Sequence, residues 1–172
     1  MFARTAAALG FVATAALATT AQAQQPGDLM HKTYRTGPRF GITWFSGSIV
    51  DTINKRYKTN LKPVISQFGW QFEKEFASVE GGPVALNDFI LLVGGLDQGT
   101  AIPSITWLVG VRTAGDFEFG VGPNATPAGV ALAVSLGQTF RFGGLRIPIN
   151  IAVVPSQFCV RTSILTGFNI YQ

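Results

Sequence analysis

Charge, cysteine and histidine are all scarce in this chain, and each scarcity closes off a class of protein. Asp, Glu, Lys and Arg make up 13% of the residues, about half of what an ordinary soluble domain carries. Something other than charge must therefore solvate the surface. The single cysteine, Cys159, cannot form an intramolecular disulfide, and it does not stand just behind a leader, where a lipoprotein would need it. One histidine, His31, and one distant cysteine make no metal-ligand cluster. The formal charge of +4 is modest and gathers in no tract resembling a nucleic-acid arm. A nucleic-acid partner is not expected.

What is present begins with the layout of a secretory signal peptide. Arg4 supplies a positive start, an uncharged Ala/Leu-rich stretch runs from Ala6 to Ala18, and Ala21-Gln22-Ala23 offers small residues for cleavage. Residues 1–23 are thus expected to be removed. Residues 24–37 are polar and aperiodic, with Pro26, Gly27 and Gly37 as breakers, and read as a flexible periplasmic leader. The remaining 38–172 fit one domain.

Beyond the leader, apolar residues recur at every second position, the period of a strand. Eight segments result, at about Pro38–Ser46, Pro63–Phe76, Val84–Leu96, Ile102–Thr113, Asp116–Gly122, Ala128–Phe142, Leu145–Val154 and Phe158–Tyr171. In the second, Val64, Phe68, Trp70, Phe72 and Phe76 share one face, and Gln67, Gly69, Gln71, Glu73 and Glu75 the other. The sixth is clearest, with Val130, Leu132, Val134, Leu136, Phe140 and Phe142 alternating with small and polar residues. The third contains the unbroken run Phe89 to Val93, so alternation leaves its facing open. Pro123 to Pro127 reads as a loop, Gly143-Gly144 as a tight hairpin, and Pro148 as the mark of a bulge. Short connections favour an antiparallel up-and-down meander closed into an eight-stranded transmembrane β-barrel.

The face opposite the apolar one decides where that barrel sits. If the apolar residues pointed inward, as in a soluble lipocalin-like or avidin-like barrel, the sixth strand would show water mostly Gly, Ala and Ser. Small residues interleaved with a few long polar ones instead suit the narrow bore of an eight-stranded membrane barrel. Arg39, Glu73, Glu75, Arg112, Glu118, Arg141, Arg146 and Arg161 all fall on the non-apolar faces. Lys74 is the exception, near enough to a strand end to snorkel. With termini and tight turns on the periplasmic side, Phe40, Phe72, Phe76, Phe117, Phe140, Phe142 and Phe168 fall where an interfacial girdle belongs.

Three stretches carry a resemblance, namely Gly37-Pro38-Arg39-Phe40-Gly41, Ser66-Gln67-Phe68-Gly69-Trp70-Gln71-Phe72-Glu73 and Phe117-Glu118-Phe119-Gly120-Val121-Gly122-Pro123-Asn124. They look like segments of uncharacterised envelope proteins assigned to an outer-membrane β-barrel domain. The chain also resembles the transmembrane domain of outer-membrane protein A. The likeness implies a fold and an outer-membrane location, and it brings no catalytic motif.

Chemistry is hard to place on these residues. His31 lies in the leader, away from any barrel mouth where a Ser–His pair could work, so neither an enzyme nor a cofactor is expected. Arg39, Glu73, Glu75, Arg112, Glu118, Arg141 and Arg146 are expected to meet in the periplasmic half of the bore. Buried charges survive only when paired, so they should form an ion-pair network that plugs the lumen; the alternative is a narrow ion or proton path. The long connection Gly47 to Lys62 carries Lys55, Arg56, Lys58 and Lys62 against the single acid Asp51. Ile49, Val50, Ile53 and Tyr57 are spaced for a short helix that Ser48 could cap. Besides membrane lipid, this basic segment could contact the phosphates of lipopolysaccharide.

Overall fold

The two-residue period becomes a closed sheet. The structure, a computed structural model, describes residues 34–46, 50–51, 54–55, 58, 60–78, 81–156 and 159–171. The strands are β1 (Tyr34–Phe45), β2 (Val64–Ser78), β3 (Val84–Gly94), β4 (Ile102–Arg112), β5 (Phe117–Thr126), β6 (Gly129–Phe142), β7 (Leu145–Pro155), β8 (Val160–Gly167) and the short β9 (Ile170–Tyr171). Each of the first seven pairs antiparallel with the next. Because β1 pairs with both β2 and β8, eight strands close into an up-and-down barrel, and β9 continues along β1 beyond β8. Most are about as long as the nine to eleven residues a tilted strand needs to cross a bilayer. The signal-peptide segment, leader residues 24–33 with His31, and Arg56 lie outside the described residues, as do Ser48, Ile49, Ile53 and Tyr57 of the long connection.

Facing follows the alternation. Along β6, Leu132 is 55% exposed and its neighbour Ala133 is 1% exposed. Ile42, Trp44, Phe68, Ile105, Trp107, Ile149, Ile151 and Ile164 also stand on the outside. Inward positions are taken by Arg39, Thr43, Gln71, Glu73, Arg112, Asn124 and Asn150, all buried. In water this exterior would far exceed the apolar patch a soluble protein tolerates. In a bilayer it is the lipid-facing band. The barrel is therefore a transmembrane one, and a lipocalin-like polarity is ruled out by its inverted faces. The unbroken run in β3 resolves the same way: Ile90 and Leu92 point in with Asp88, while Phe89 and Leu91 point out. Lys74 faces outward with its ammonium 5.5 Å from the centre of the Tyr34 ring, so a cation–π contact accompanies its reach to the interface.

Several sequence expectations need correction. The first strand starts at Tyr34 rather than Pro38, with Tyr34 to Gly37 laddered to Lys74 through Gln71. These residues are polar, so no hydrophobic period announced them. Phe40 consequently sits midway along β1, opposite Phe68 and Thr166, and not at a strand end. Pro123 does not open a loop. β5 runs through it to Thr126 in unbroken register with β6, and only the pairing with β4 lapses between Val121 and Asn124. A missing N–H there removes ladder bonds on one side without ending the strand. Pro148 makes no bulge, because its pairing with Thr139 keeps register and the β7–β8 ladder begins only at Ile149. The bulge lies at Phe76 in β2, where register shifts between Glu75 and Ala77.

Closing so few strands brings backbones close together at inward glycines. A Cβ on Gly41 would lie 1.9 Å from the carbonyl oxygen of Ile164, and one on Gly69 1.8 Å from that of Leu91. Only glycine allows that approach.

Facing can be tested with Cys159 replaced by Ser. A fluorophore on Leu132→Cys should be quenched by a quencher carried on lipid chains, and one on Ala133→Cys should not. The reverse pattern would show that the faces are inverted, and no quenching at either site would show a barrel outside the membrane.

Candidate functional site

Near one end of the barrel, charged side chains gather in the bore. Positions two apart on β2 share a face, so Glu73 and Glu75 both point inward. β4 supplies Arg112, and β5 places Glu118 directly opposite it. The Arg112 guanidinium donates to Glu118 Oε1 at 2.7 Å, Glu75 Oε1 at 2.9 Å and Glu73 Oε2 at 2.5 Å. One buried cation thus holds three buried carboxylates. Arg35 of β1 reaches Glu75 at 2.9 Å and Glu73 at 3.8 Å, and Thr139 donates to Glu118 at 3.2 Å.

Arg39 anchors a neighbouring chain of contacts. It donates to Gln71 Oε1 at 2.8 Å, Asn169 Oδ1 at 2.5 Å and the carbonyls of Pro38 and Phe168 at 3.0 and 3.3 Å. The claim on Phe168 and Asn169 coincides with the break between β8 and β9. Gln71 then donates to Asp88 at 3.0 Å. Carboxylate oxygens of Glu73, Asp88 and Glu118 lie within 4.8 Å of one another. A cation could bridge such a group, but Arg112 already supplies positive charge to Glu73 and Glu118.

Of the residues expected to plug the lumen, Glu73, Glu75, Arg112 and Glu118 meet as one network, and Arg39 lies beside it. Arg141 does not join them. Its side chain is 55% exposed and pairs with Asp116 in the turn between β4 and β5. Burial works against the Asp116 carboxylate, but the hydrogen bond and charge of Arg141, with Arg146 and Arg35 beyond, hold it below the usual carboxylate range. Arg146, opposite Arg141 in the hairpin, belongs to this rim. Among the described residues this charged layer therefore sets four acids, Glu73, Glu75, Asp88 and Glu118, against three bases, Arg35, Arg39 and Arg112. Sequence reasoning missed Arg35, which it assigned to the leader, and Asp88, hidden in a strand of undecided facing. The signal for Asp88 was a lone acid before an apolar run. Gln71, Asn169 and Asp116 were missed as well.

The other half of the bore is different. A cavity of about 650 Å³ runs from mid-bore to the mouth, lined by Gln67, Leu92, Thr106, Leu108, Asn124, Ala133, Asn150, Arg161 and Leu165 among others. At its rim the β1–β2 connection packs Val50 and Leu61 against Phe45 and Ile65. Val50, Asp51, Asn54 and Lys55 are helical, and Asn54 accepts from the Leu61 N–H at 2.7 Å and donates back to its carbonyl at 3.0 Å. Gln98, in the turn after β3, accepts from Lys62 N–H and donates to the Val64 carbonyl, each at 2.6 Å. Lys55, Lys58 and Lys62 are exposed on this connection. In the same turn, hydrogen bonds from Ser66 and Gln98 hold the Asp97 carboxyl below its usual range.

A closed antiparallel barrel with an apolar exterior and a charged, hydrogen-bonded bore is a membrane β-barrel of the outer-membrane type. No protein-family model and no curated protein matches the chain. Among solved structures, the chain is similar to Ail, the attachment invasion locus protein of Yersinia pestis, solved in complex with the heparin analogue sucrose octasulfate. The identity is 12% and the TM-score 0.37, over 82% of this chain and 100% of that one. A likeness at that level transfers no residue and no ligand.

The network predicts opposite outcomes for two acids. Glu118→Ala takes from Arg112 one of its three carboxylates and from Thr139 its acceptor, and should destabilise the folded barrel by about 1 to 3 kcal/mol. Asp88→Asn keeps a group that can pair with Gln71 and removes a like charge beside Glu73 and Glu118, so it should be neutral or stabilising. Urea titrations in lipid vesicles, followed by tryptophan fluorescence, read both; a larger loss for Asp88→Asn than for Glu118→Ala would refute the pairing scheme.

Proposed function

We propose that the protein is an integral outer-membrane barrel, exported through a cleaved signal peptide, whose role is structural or a non-enzymatic interaction at the cell surface. The observation that carries this reading is the pairing of Arg112 with three carboxylates across the bore. Side chains from β1, β2, β4 and β5 meet there, which supports a lumen closed at its turn end by paired charge. A narrow channel would need a continuous hydrated path.

The groups left for interaction lie at the opposite end. Lys55, Lys58 and Lys62 are exposed on the long connection, and Arg56 belongs to the same run of sequence. A cluster of cations at the headgroup level is attracted to anionic phosphates, and the attraction fades within a Debye length. Lipopolysaccharide is the anionic surface that such a connection would meet outside an outer membrane, with membrane lipid around the barrel itself.

Two experiments test the reading. Planar-bilayer recordings of the wild-type barrel should show no stable conductance above baseline, and reproducible channels would overturn the plugged lumen. Replacing Lys55, Arg56, Lys58 and Lys62 by Gln should leave the heat-modifiable folded band intact on an unboiled gel while weakening lipopolysaccharide binding at low salt. Unchanged binding there would remove the connection from the interaction.

A further inference from the structure

The open half of the bore has the features of a ligand site, and nothing in the plug or the basic connection accounts for them. Its volume, about 650 Å³, falls inside the roughly 300 to 1,000 Å³ typical of small-molecule pockets. Its middle is apolar, walled by Ile90, Leu92, Leu108, Ala133, Val154 and Leu165. These side chains pack into one buried cluster and also line the cavity.

Polar groups on the walls point the same way. The side-chain oxygens of Gln67 and Asn150 are buried and have no hydrogen-bond partner, and both residues line the cavity with more than nine-tenths of their surface covered. Buried acceptors are paired in most proteins, so these two make the wall less uniformly apolar, the Asn150 oxygen lying against Gly137. Nearer the mouth stands Arg161, the one charged residue of the lining. It donates to Asn124 Oδ1 at 2.9 Å and to Thr126 Oγ1 at 3.5 Å, and among the described residues no carboxylate lies within ion-pair distance of it. Every other arginine in the bore pairs with an acid or lies beside the acidic group. Asn124 is itself fixed, donating to Ser104 and Thr106 at 2.8 and 2.7 Å, so both terminal nitrogens of Arg161 are held at the cavity wall, where they bring a positive charge that no acid of the lining balances.

From these features we infer that the loop-end half of the bore binds an elongated anionic amphiphile of the medium-chain carboxylate class. Its head pairs with Arg161, and its chain descends past Leu92 and Leu165 toward Leu108 and Ala133. From Asn150 to Pro155 the lining follows β7 for roughly 17 Å of strand, which suits a chain better than a compact ring. The charged network below forms the floor. The inference uses the membrane reading only for the direction of the mouth.

Dodecanoate is the probe, titrated into the protein in phosphatidylcholine nanodiscs with leucine methyl groups labelled for NMR. The methyls of Leu108 and Leu165 should shift saturably, while those of outward Leu132 and Leu136 should drift with lipid partitioning only. Arg161→Gln should weaken binding tenfold or more, and dodecanol, which has no anionic head, should bind the wild type as weakly. Ala133→Phe, which fills the cavity, should abolish the inward shifts, so the pocket can still be judged if Arg161→Gln does not fold. Equal affinity for dodecanol and dodecanoate would overturn the anionic head, and unshifted inward methyls in an inserted barrel would overturn the pocket alone. A barrel that stays out of the nanodisc would instead sink the membrane reading and this proposal with it.

Discussion

Every backbone N–H and C=O that enters the hydrocarbon of a bilayer must find its partner within the protein, and in this chain that constraint is met at β1. Pairing of β1 with β2 on one side and β8 on the other turns an open meander into a ladder with no free edge. The rest follows from that closure. Eight strands leave a bore only wide enough for side chains, so inward positions must be small, or polar and mutually satisfied. Inward glycines such as Gly41 and Gly69 let neighbouring carbonyls approach where no side chain would fit. The outer positions, freed from packing, take on the apolar character of the lipid.

Burying charge in that narrow interior is costly unless each charge is paired. The barrel meets this cost through register. Glu118 faces Arg112 across one ladder, Arg35 faces Glu73 across another, and Glu73 and Glu75 share a face of β2. A one-residue slip in any of these strands would turn a charge into lipid and an apolar side chain into the bore. The charged layer and the apolar exterior therefore specify the same register. This gives the network a role in fold specificity that does not depend on how much net stability it contributes.

Much of this was legible in the sequence because the period of two is a local signal. Strand number, facing of β2, β4, β6 and β7, and the inward set of Glu73, Glu75, Arg112 and Glu118 all follow from alternation. What was not legible depends on contacts distant along the chain. Arg35 joins the network although its flanking residues are polar and carry no period. Asp88 turns inward just ahead of an apolar run, and only pairing with β2 and β4 settles its face. Arg141 has the right parity for the bore, yet it stands at the strand end, where Asp116 in the adjoining turn draws it to the rim. Proline misled in the opposite way. Pro123 and Pro148 look like interruptions, but a strand between two partners can lose a ladder bond on one side and keep its register on the other.

The two halves of the bore stand in contrast because their inward residues differ. At the turn end, long polar side chains are close enough to satisfy one another. Toward the loops, the inward positions of β6 and β7 shrink to Ala131, Ala133, Ala152 and Val154, which line the cavity together with Leu92 and Leu108. A cavity remains because small residues on one wall are not compensated by larger ones on the other. Stability alone would favour filling it, since lining atoms without partners forfeit dispersion contacts. An unfilled, partly polar space next to a densely paired one is where a barrel of this size has room to bind rather than merely to span.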